Sequence, residues 1–407
     1  MARPAILYIS YDGMLEPLGQ SQVLSYLERL SGAYDVHLLS FEKPADLANP
    51  ARLAAVRTRI DAAGIRWTRR RYHKSPTAPA TAYDITAGTL TALRIAIARK
   101  IRIVHARSYI PALIGLAVKR VTGARLLFDM RGLWADERVD AGLWPREGRL
   151  YRGTKALERK LLLAADHIVT LTRASAAEIE SFPYLRRGHA PITVIPTCAD
   201  LDRFSRQGAG GQSGAFTYGF VGAAGTWSLF SEVLRSFAFL RARRPEAKLL
   251  VVNRNEHDFI RAEVARSGID PALVELVAAD HAQVPALVSR MDVAAALRRP
   301  SYSQVACAPT KLAEYLGCGV PCLVNRGIGD VEEIVATERV GAVAADFSDP
   351  ALEAAVDRLL AVASEPGIRE RCAAAARRRF SLEDGVEAYR DIYASLLAGS
   401  RAQGSSG

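Results

Sequence analysis

The chain has 407 residues, more than one ordinary hydrophobic core supports, so we expect two domains of about 150–200 residues each. Its apolar content of 49% is that of a soluble protein, and no run of about 18 uninterrupted apolar residues occurs, which argues against a membrane-spanning helix. The amino-terminal sequence MARPAILYISYDG enters a strand pattern at once and lacks the features of a signal peptide, so we expect a cytoplasmic protein.

The net charge of +11 is concentrated in the first half of the chain. Residues 1–205 hold 31 Lys and Arg against 19 Asp and Glu, a net of +12, whereas the remainder holds 23 and 24, a net of −1. The densest basic stretch is RWTRRRYHK at residues 66–74. It indicates either an anionic partner or a solvated arginine-rich surface. We expect an anionic membrane surface and no nucleic acid, since only Trp67 and Tyr72 could stack on bases.

Strand and helix patterns alternate along this first half. Such alternation predicts a parallel sheet with helices on both faces, that is, a doubly wound α/β domain. We predict strands at 5–10, 35–41, 101–106, 124–130, 167–172 and 192–196, and helices at 21–31, 51–64, 111–123 and 150–166.

The alternation starts again after a polar, glycine-rich linker, QGAGGQSGA, at residues 207–215. We therefore predict an α/β protein of two Rossmann-like domains, 1–206 and 207–381, that face each other across a cleft and bind ligands at their strand ends. A final helix follows at about 382–397. In the second domain we predict strands at 217–222, 248–253, 273–278, 293–297, 321–325 and 340–344, and helices at 229–244, 256–267, 282–290, 309–316, 349–364 and 367–379.

The stretch CAPTKLAEYLGCGVP, residues 307–321, predicts a short helix whose first turn can bind an anion. Pro309 suits the helix start, because its missing N–H would be unpaired there. The free N–H groups beginning at Thr310 and the charge of Lys311 fit a phosphate or pyrophosphate. Glu314, one turn further on the same side, can accept hydrogen bonds from vicinal hydroxyls such as those of a ribose. The alternative is an ordinary surface salt bridge between Lys311 and Glu314.

A second candidate is the loop FVGAAGTWS, residues 220–228, between a strand and a helix. Its small residues at 222–225 would let the backbone approach a ligand closely. The loop is neither a G-x-G-x-x-G sequence nor a P-loop, so a tight strand–helix turn is the alternative reading.

The amino-terminal loop YDGMLEPLGQSQV, residues 11–23, also follows a strand. Gly19 would lie just before a helix that begins at Ser21, a place that favours an anion or a close backbone approach. A helix-capping loop is the alternative. The polar side chains of this loop that suit the recognition of hydroxyls are Asp12, Glu16, Gln20 and Gln22.

A further loop, FDMRGLWADER at residues 128–138, follows another predicted strand. It places Trp134 among several charges, and a surface loop of that composition more often binds a ligand than not. The neighbouring strand ends with His105 and Arg107, although a lone histidine there is more often structural than catalytic. The charged residues of the loop are Asp129, Arg131, Asp136 and Glu137.

The tandem domains, VIPTCADLDRF at 194–204, the PTKLAEYLGCGVP stretch and GIGDVEEI at 327–334 together resemble glycosyltransferase family 4, which has the GT-B fold. The resemblance covers nearly the whole chain, and the loops at 11–23 and 128–138 suggest a bacterial branch found in polysaccharide clusters. It implies a nucleotide-sugar donor on the second domain, an acceptor on the first, and a final helix packed back onto the first. It also implies a retaining reaction without a metal ion or a resident cofactor, in which the donor phosphate helps to deprotonate the acceptor.

Carried onto this sequence, the resemblance makes Glu314 the ribose-binding glutamate and directs Thr310 and Lys311 toward the donor pyrophosphate. Gly19 matches the glycine loop that meets the donor phosphates, and Glu332 or Glu333 falls in the acidic segment after a glycine loop. We therefore predict three sets of site residues. They are Gly19, Gly222, Thr226, Arg254, Thr310, Lys311, Glu314 and Glu333 for the donor, Asp12, Glu16, Gln20, His105 and Arg107 for the acceptor, and Asp129, Arg131 and Asp136 for catalysis.

Ala306 is one departure from the family pattern. It occupies the position of the first glutamate of a two-glutamate signature, eight residues before Glu314, so the usual contact with the donor sugar is absent. Gln304 and the backbone of 307–310 are candidates to replace that contact.

Two further departures concern positive charge and the base. Arg131 stands where many members have a histidine, and an arginine cannot act as a base but can orient a carboxylate or bind phosphate. The GAAGTWSLF loop lacks the arginine and lysine that neutralise pyrophosphate in many members. Candidates to supply that charge instead are Lys311, Arg254, Arg298 and Arg299.

We predict a retaining glycosyltransferase that moves a sugar from a UDP- or GDP-sugar to a polysaccharide or lipid-linked saccharide in cell-envelope biosynthesis, peripheral on the inner membrane. One alternative is a sugar-nucleotide epimerase of the same architecture, which would need an acid–base pair of carboxylate and histidine. The other is a catalytically degenerate partner protein, which Ala306 suggests.

Overall fold

The computed structural model describes most of the chain. The predicted linker at 207–215 lies outside the described residues apart from Ala215. Side chains are described up to residue 399. The described ranges are 3–205, 215–279 and 282–404.

The chain forms two compact units. The first consists of Met1–Ile195 and Glu383–Gly407, and the second of Pro196–Leu382. The boundary between the units lies after Ile195, ahead of the predicted boundary after residue 206, because the segment that follows Ile195 packs in the second unit. Phe204 is part of the buried hydrophobic core of that unit.

The first unit is built on a parallel sheet of seven strands within the described residues. Along the chain these are β1 Ala5–Ser10, β2 Asp35–Glu42, β3 Arg66–Arg71, β4 Ile103–Arg107, β5 Arg125–Asp129, β6 His167–Thr170 and β7 Ile192–Val194. In space their order is β3-β2-β1-β4-β5-β6-β7, and every neighbouring pair is parallel. The order reverses between β1 and β4, and ligands of such sheets bind beyond the strand ends at that point.

The four predicted helices of the first unit are present, and the structure adds helices at Pro44–Leu47, Thr77–Ala98, Trp134–Asp140 and Arg173–Ser181. The first helix begins at Pro17 and not at Ser21, because proline suits a first turn, and a π-helical turn Gln20–Leu24 continues it. Residues 134–140 form a helix and not a loop, because acidic side chains favour a first helical turn. The helices are α1 Pro17–Gly19, α2 Ser25–Leu30, α3 Pro44–Leu47, α4 Pro50–Ala62, α5 Thr77–Ala98, α6 Tyr109–Thr122, α7 Trp134–Asp140, α8 Arg149–Ala164 and α9 Arg173–Ser181.

The sequence patterns do not predict β3 or α5. The basic stretch RWTRRR shows no apolar alternation, yet it forms a strand because it pairs with β2 at the sheet edge, where exposed arginines are tolerated. Helix α5 buries a small or short residue at every fourth position and so lacks the large apolar stripe of an amphipathic helix. These buried positions are Ala80, Asp84, Gly88, Ala92 and Ala96.

The second unit has a six-stranded parallel sheet within the described residues. Its strands are β8 Thr217–Val221, β9 Lys248–Val252, β10 Val274–Val277, β11 Val293–Ala295, β12 Cys322–Asn325 and β13 Gly341–Ala344. In space their order is β10-β9-β8-β11-β12-β13, so the reversal lies between β8 and β11. Continuous apolar runs such as LLVV in β9 are buried on both faces, as expected for a parallel sheet covered by helices.

The helices of the second unit also agree with the predictions, apart from one that the sequence patterns did not indicate at Val331–Glu338. A short 3₁₀ turn, Tyr302–Ala306, precedes the helix that carries the predicted anion site. The helices are α10 Phe230–Arg243, α11 His257–Ser267, α12 Val284–Ser289, α13 Thr310–Gly317, α14 Val331–Glu338, α15 Asp349–Ala363 and α16 Ile368–Phe380.

The final helix, α17, spans Leu382–Gly404 and is longer than the predicted 382–397. Almost all of it belongs to the first unit, although it follows the second unit in the chain. It packs there through one apolar and aromatic face. The buried residues of that face include Val386, Tyr389, Ile392, Tyr393 and Leu396.

Candidate active site

The candidate donor site lies in the second unit at the carboxyl ends of β8 and β11, where the strand order reverses. Gly222 follows β8 directly and has a φ of +96°, a conformation that glycine adopts without cost. A Cβ atom built on Gly222 would lie 3.8 Å from Nζ of Lys311. The structure therefore brings together two of the predicted donor-binding residues.

Among the residues that the structure describes, no carboxylate forms an ion pair with Lys311. Its Nζ lies 4.3 Å from the ring centroid of Phe220, and it makes no hydrogen bond or ion pair within the described residues. Burial lowers the pKa of Lys311 to about 7, and repulsion from Arg298 acts in the same direction. An amine in this state would gain from a bound anion, which would stabilise its protonated form.

Glu314 is similarly buried without a partner. Its side chain is 8% exposed and makes no hydrogen bond or ion pair within the described residues, so the surface salt bridge with Lys311 is wrong. Burial raises the pKa of Glu314 to about 7, and the nearby charges of Lys311 and Arg203 only partly oppose this. A buried carboxylate of perturbed pKa beside a lysine indicates a ligand site.

Glu256 fixes the glycine loop and was not predicted. Its carboxylate accepts hydrogen bonds from the N–H groups of Ala224 at 2.7 Å and Gly225 at 3.2 Å. Asn253 donates through Nδ2 to Glu256 at 2.8 Å and to the carbonyl of Gly222 at 3.0 Å. Asn253 follows β9 directly and Glu256 comes three residues later, and this position after a strand was the available signal. Because Glu256 occupies these N–H groups, the cations nearby are the groups left to bind phosphate.

Arg298 is positioned by Gln304, a predicted candidate to replace the missing glutamate. Arg298 donates through Nε to Oε1 of Gln304 at 3.1 Å and through its backbone N–H to Oδ1 of Asn325 at 2.8 Å. The carbonyl of Gln304 accepts from the N–H of Gly329 at 2.8 Å. Ala306 is buried at the end of the 3₁₀ turn. Gln304 thus orients a guanidinium group that electrostatically affects Lys311.

The other predicted donor-binding residues have different surroundings. Thr310 is the first residue of α13, in the turn with free N–H groups. Thr226 is exposed and has a φ of +54°. Arg254 is exposed and makes no hydrogen bond or ion pair within the described residues, and Glu333 is exposed in the first turn of α14.

In the first unit, Asp129 and His105 form a buried cluster with the final helix. Oδ2 of Asp129 accepts a hydrogen bond from the Tyr389 hydroxyl at 3.2 Å and lies 3.6 Å from Nε2 of His105. Nδ1 of His105 lies 2.7 Å from the Tyr393 hydroxyl. Sequence spacing could not reveal this contact, since 260 residues separate Asp129 from Tyr389.

Two arginines lie around this cluster. Arg131, in the left-handed conformation with φ of +59°, has Nη1 3.6 Å from Oδ1 of Asp129. Arg107 is buried at the end of β4, 3.5 Å from Asp12, and its Nε has no hydrogen-bond partner within the described residues. Burial by itself raises the pKa of Asp129, but Arg131, His105 and Arg107 outweigh it and hold the pKa below its usual value. Burial lowers the pKa of His105, which keeps the imidazole neutral near pH 7.

Asp136 does not belong to this cluster. Its two carboxylate oxygens are bonded to the Tyr151 hydroxyl and to Nζ of Lys155, both at 2.9 Å. Lys155 also pairs with buried Glu158, which accepts from Tyr109 at 2.6 Å. This network joins α6, α7 and α8, and it satisfies the Asp136 carboxylate completely.

The amino-terminal loop also differs from its predicted role. A Cβ on Gly19 would lie 2.0 Å from the carbonyl oxygen of Gly13, so this glycine permits close packing inside the loop. Glu16 pairs with Lys43 and accepts from the N–H of Gly13, and Gln20 accepts from Arg59 at 3.3 Å. Of the four predicted polar residues of the loop, Asp12 is the one that contacts Arg107. Buried Glu42, not predicted, holds the loop by accepting from two backbone N–H groups, those of Met14 and Leu15.

Comparisons with known proteins cover nearly all of this architecture. The model of Glycosyltransferase Family 4 matches residues 19–203, and the model of Glycosyl transferases group 1 matches residues 203–379. The chain belongs to the family 4 type of GT-B glycosyltransferases. No curated protein sequence matches this glycosyltransferase.

Solved structures share the fold at low sequence identity. Sucrose-phosphate synthase from Thermosynechococcus elongatus is 15% identical with a TM-score of 0.71, over 98% of this glycosyltransferase and 100% of that chain. HepE from Anabaena, solved with UDP, is 14% identical with a TM-score of 0.68, over 96% of this glycosyltransferase and 100% of the HepE chain. A UDP-N-acetylglucosamine 2-epimerase from Listeria monocytogenes, itself assigned provisionally, is 12% identical with a TM-score of 0.60, over 98% of each chain.

Across the described ranges, no helix has both the length and the apolar character needed to cross a lipid bilayer. In the same ranges, no group of three or more His, Cys, Asp and Glu side chains has the arrangement of a metal site.

Proposed function

We propose that this glycosyltransferase transfers a sugar, with retention of configuration, from a UDP- or GDP-sugar to a saccharide acceptor of a polysaccharide or a lipid-linked intermediate. The observation that carries the proposal is the unpartnered pair of Lys311 and Glu314 at the start of α13. One is a half-buried amine without an ion-pair partner, and the other is a buried carboxyl that lacks a hydrogen-bond donor, both within the described residues. A nucleoside diphosphate sugar supplies a pyrophosphate and ribose hydroxyls, which are those two missing groups.

The second unit would bind the donor. Lys311 and Arg298 would neutralise the pyrophosphate, and Gly222 would let it approach the backbone. Glu314 would accept hydrogen bonds from the ribose hydroxyls. HepE, which has this fold, was solved with UDP and also with UDP-glucose, and this supports a nucleotide-sugar as the ligand.

The first unit would bind the acceptor with the groups at its own switch point. Arg107 and Asp12 offer hydrogen-bond donors and acceptors to a saccharide, and Arg131 holds Asp129 in its ionised form. The donor phosphate is the base that we propose for the acceptor hydroxyl, because Arg131 cannot serve as one. We further propose that the reaction needs no metal ion or resident cofactor. Unchanged turnover after treatment with EDTA is the expected result.

A thermal-shift screen over UDP-, GDP-, dTDP- and ADP-glucose tests the donor assignment. A ligand that binds only the native state raises the melting temperature by mass action. At a free ligand concentration of a hundred times Kd, it adds about 2.7 kcal/mol to the free energy of unfolding. Glu314→Ala serves as the matched control and should lose most of the shift. If none of these nucleotide-sugars stabilises the protein, the donor site has been misassigned. With the donor known, the anomeric configuration of the product by NMR tests retention.

An exposed face of α5 supports the membrane part of the proposal. Tyr83, Leu90 and Ile97, spaced by seven residues, are 56%, 53% and 64% exposed on one side of the helix. The helix spans Thr77–Ala98, and its exposed charge in that range is Arg94. A helix with an apolar exposed face and flanking cations suits an anionic lipid surface. The exposed cations around it are Arg69, Arg71, Lys74, Arg99 and Lys100.

Flotation with vesicles tests this surface. Wild-type protein should float with phosphatidylglycerol-containing vesicles at low salt and less so at high salt. The double variant Leu90→Glu with Ile97→Glu should remain in the bottom fraction of the gradient. Phe259→Glu, at an exposed position of the second unit, is the control and should float like the wild type. Equal flotation of all three proteins would contradict the role of α5.

A sugar-nucleotide epimerase is a second candidate, favoured by the fold shared with the Listeria protein and by the His105–Asp129 pair. An epimerase converts the nucleotide-sugar without any acceptor. NMR of each stabilising nucleotide-sugar incubated with the protein alone distinguishes the two functions. We expect slow hydrolysis at most and no isomer.

A further inference from the structure

A histidine–aspartate pair lies in the first unit outside the residues considered so far. Nδ1 of His73 is 2.6 Å from Oδ1 of Asp84, and the backbone N–H of His73 donates to Oδ2 at 3.0 Å. The Tyr11 hydroxyl donates to the same oxygen at 2.9 Å. Asp84 is 1% exposed on the inner side of α5, so three donors satisfy a buried carboxylate.

The pair lies at the same edge of the sheet as the proposed acceptor site. His73 comes two residues after β3, and the intervening Tyr72 donates its N–H to the carbonyl of Glu42, the last residue of β2. Tyr11 follows β1 directly and precedes Asp12 in the loop that contacts Arg107. In a parallel sheet all carboxyl ends lie at one edge, so this pair and the Asp12–Arg107 pair belong to one edge.

The hydrogen bond to Asp84 sets the tautomer of the imidazole. In the neutral imidazole, a carboxylate on Nδ1 requires the single ring proton to sit there, which leaves a lone pair on Nε2. The side chain of His73 is 38% exposed, and Nε2 has no partner within the described residues. The ring of Tyr83 packs edge-on at 5.2 Å and restricts rotation of the imidazole. The result is a fixed hydrogen-bond acceptor that is open to solvent.

We propose that His73, oriented by Asp84, binds a hydroxyl group of the saccharide acceptor through Nε2. This inference rests on the proposed transferase function and adds an acceptor-binding group to it. Burial of Asp84 alone does not require a half-exposed imidazole, since the Tyr11 hydroxyl and the His73 backbone already donate to it. What the imidazole adds is an outward lone pair of fixed direction, and saccharide hydroxyls are donors for it.

The test uses a panel of p-nitrophenyl glycosides, namely β-glucoside, β-galactoside, α-mannoside and β-N-acetylglucosaminide, as probes of the acceptor site. Saturation-transfer NMR and titration should detect at least one of them on the wild-type protein. His73→Ala should weaken its Kd by about tenfold, the size expected for one lost hydrogen bond. His73→Gln, whose amide oxygen can take the place of Nε2, should remain within about threefold of the wild type. Exposed His189→Ala is the matched control and should be unchanged.

Donor binding separates failure of this inference from failure of the proposed function. The nucleotide-sugar Kd and the rate of donor hydrolysis by water should be the same in all four proteins. Intact donor binding with no glycoside bound by the wild type, or with equal binding by His73→Ala, overturns the acceptor role of His73. A change of donor Kd in His73→Ala would also overturn it. Absence of donor binding in the wild type would instead refute the transferase itself.

Discussion

Donor binding should weaken as the pH rises above 7, because Lys311 loses its proton in the free protein. Burial lowers the pKa of Lys311 to about 7, with repulsion from Arg298 in the same direction. A pyrophosphate beside the amine would stabilise the ammonium form and raise that pKa, so binding at alkaline pH must take up a proton. The affinity for the donor therefore falls as the pH rises from the pKa of Lys311 in the free protein toward its pKa in the complex.

The size of the effect follows from the free pKa of about 7. Protonated Lys311 makes up about 76% of the free protein at pH 6.5 and about 3% at pH 8.5. If binding requires the ammonium, affinity falls by about 25-fold across this range, or about 2 kcal/mol. Lys311→Arg removes the effect, because a guanidinium group keeps its charge at both pH values.

Titration calorimetry with the nucleotide-sugar that gives the largest thermal shift measures this loss. A nucleotide-sugar is the suitable probe, since its pyrophosphate diester does not titrate between these pH values. Runs in EPPS and in Tris, which differ in ionisation enthalpy, report proton uptake directly. The wild type should take up close to one proton at pH 8.5, and Lys311→Arg close to none.

Glu314 complicates the absolute slope but not the comparison. Burial raises its pKa to about 7 as well, so its carboxylate forms over the same range and would strengthen binding to ribose hydroxyls. That contribution is common to both proteins. The ratio of the wild-type Kd to the Lys311→Arg Kd should therefore rise by about 25-fold from pH 6.5 to 8.5. A constant ratio, in a variant that melts near the wild-type temperature, would refute the reasoning.

Three further predictions concern single substitutions. Glu314→Gln should raise the Kd for the nucleotide-sugar, measured by calorimetry, by about tenfold or more, because hydrogen bonds to a charged acceptor are lost. An unchanged Kd would show that Glu314 is not part of the donor site. Gly19→Ala should lower the free energy of unfolding, measured in urea, by about 1–3 kcal/mol, because its Cβ would meet the Gly13 carbonyl. Gly32→Ala is the control and should be neutral, since nothing lies within 4 Å of its Cβ. Asp129→Asn should cost about 3 kcal/mol at pH 7, because the guanidinium group of Arg131 loses its carboxylate partner. Folding lowers the pKa of Asp129, so the stability that its carboxylate contributes is fully present above the pKa of the unfolded chain. This contribution is lost as the pH falls through the pKa of the folded protein. The variant should therefore be as stable as the wild type in acid.

The sequence was sufficient to predict the architecture of both units. Each predicted strand is a short apolar run, and buried parallel strands have that composition whatever their neighbours are. Strand β3 escaped prediction because its pairing with β2, and not its own composition, decides its conformation. Helix α5 escaped because it packs small residues against the sheet, and these give no large apolar period.

The candidate site was predictable where its residues follow a strand end. Gly222 directly follows β8, whereas Lys311 and Glu314 were found from the start of α13, and the fold brings Gly222 and Lys311 together. The groups that hold the site in place could not be found this way. Glu256 reaches back to a loop about 30 residues earlier, and Tyr389 reaches Asp129 from the far end of the chain. Contacts of this kind depend on tertiary packing that no local period encodes.

The low pKa of Lys311 has two causes, burial first and then the positive charge of Arg298. The Glu314 carboxylate opposes them only in part. Ala306 is buried and neutral, and Glu256 is already bonded to the glycine loop. A donor pyrophosphate carries two negative charges, enough to balance both cations. In the function that we propose, the bound pyrophosphate, and not a protein carboxylate, would balance the charge of these two cations.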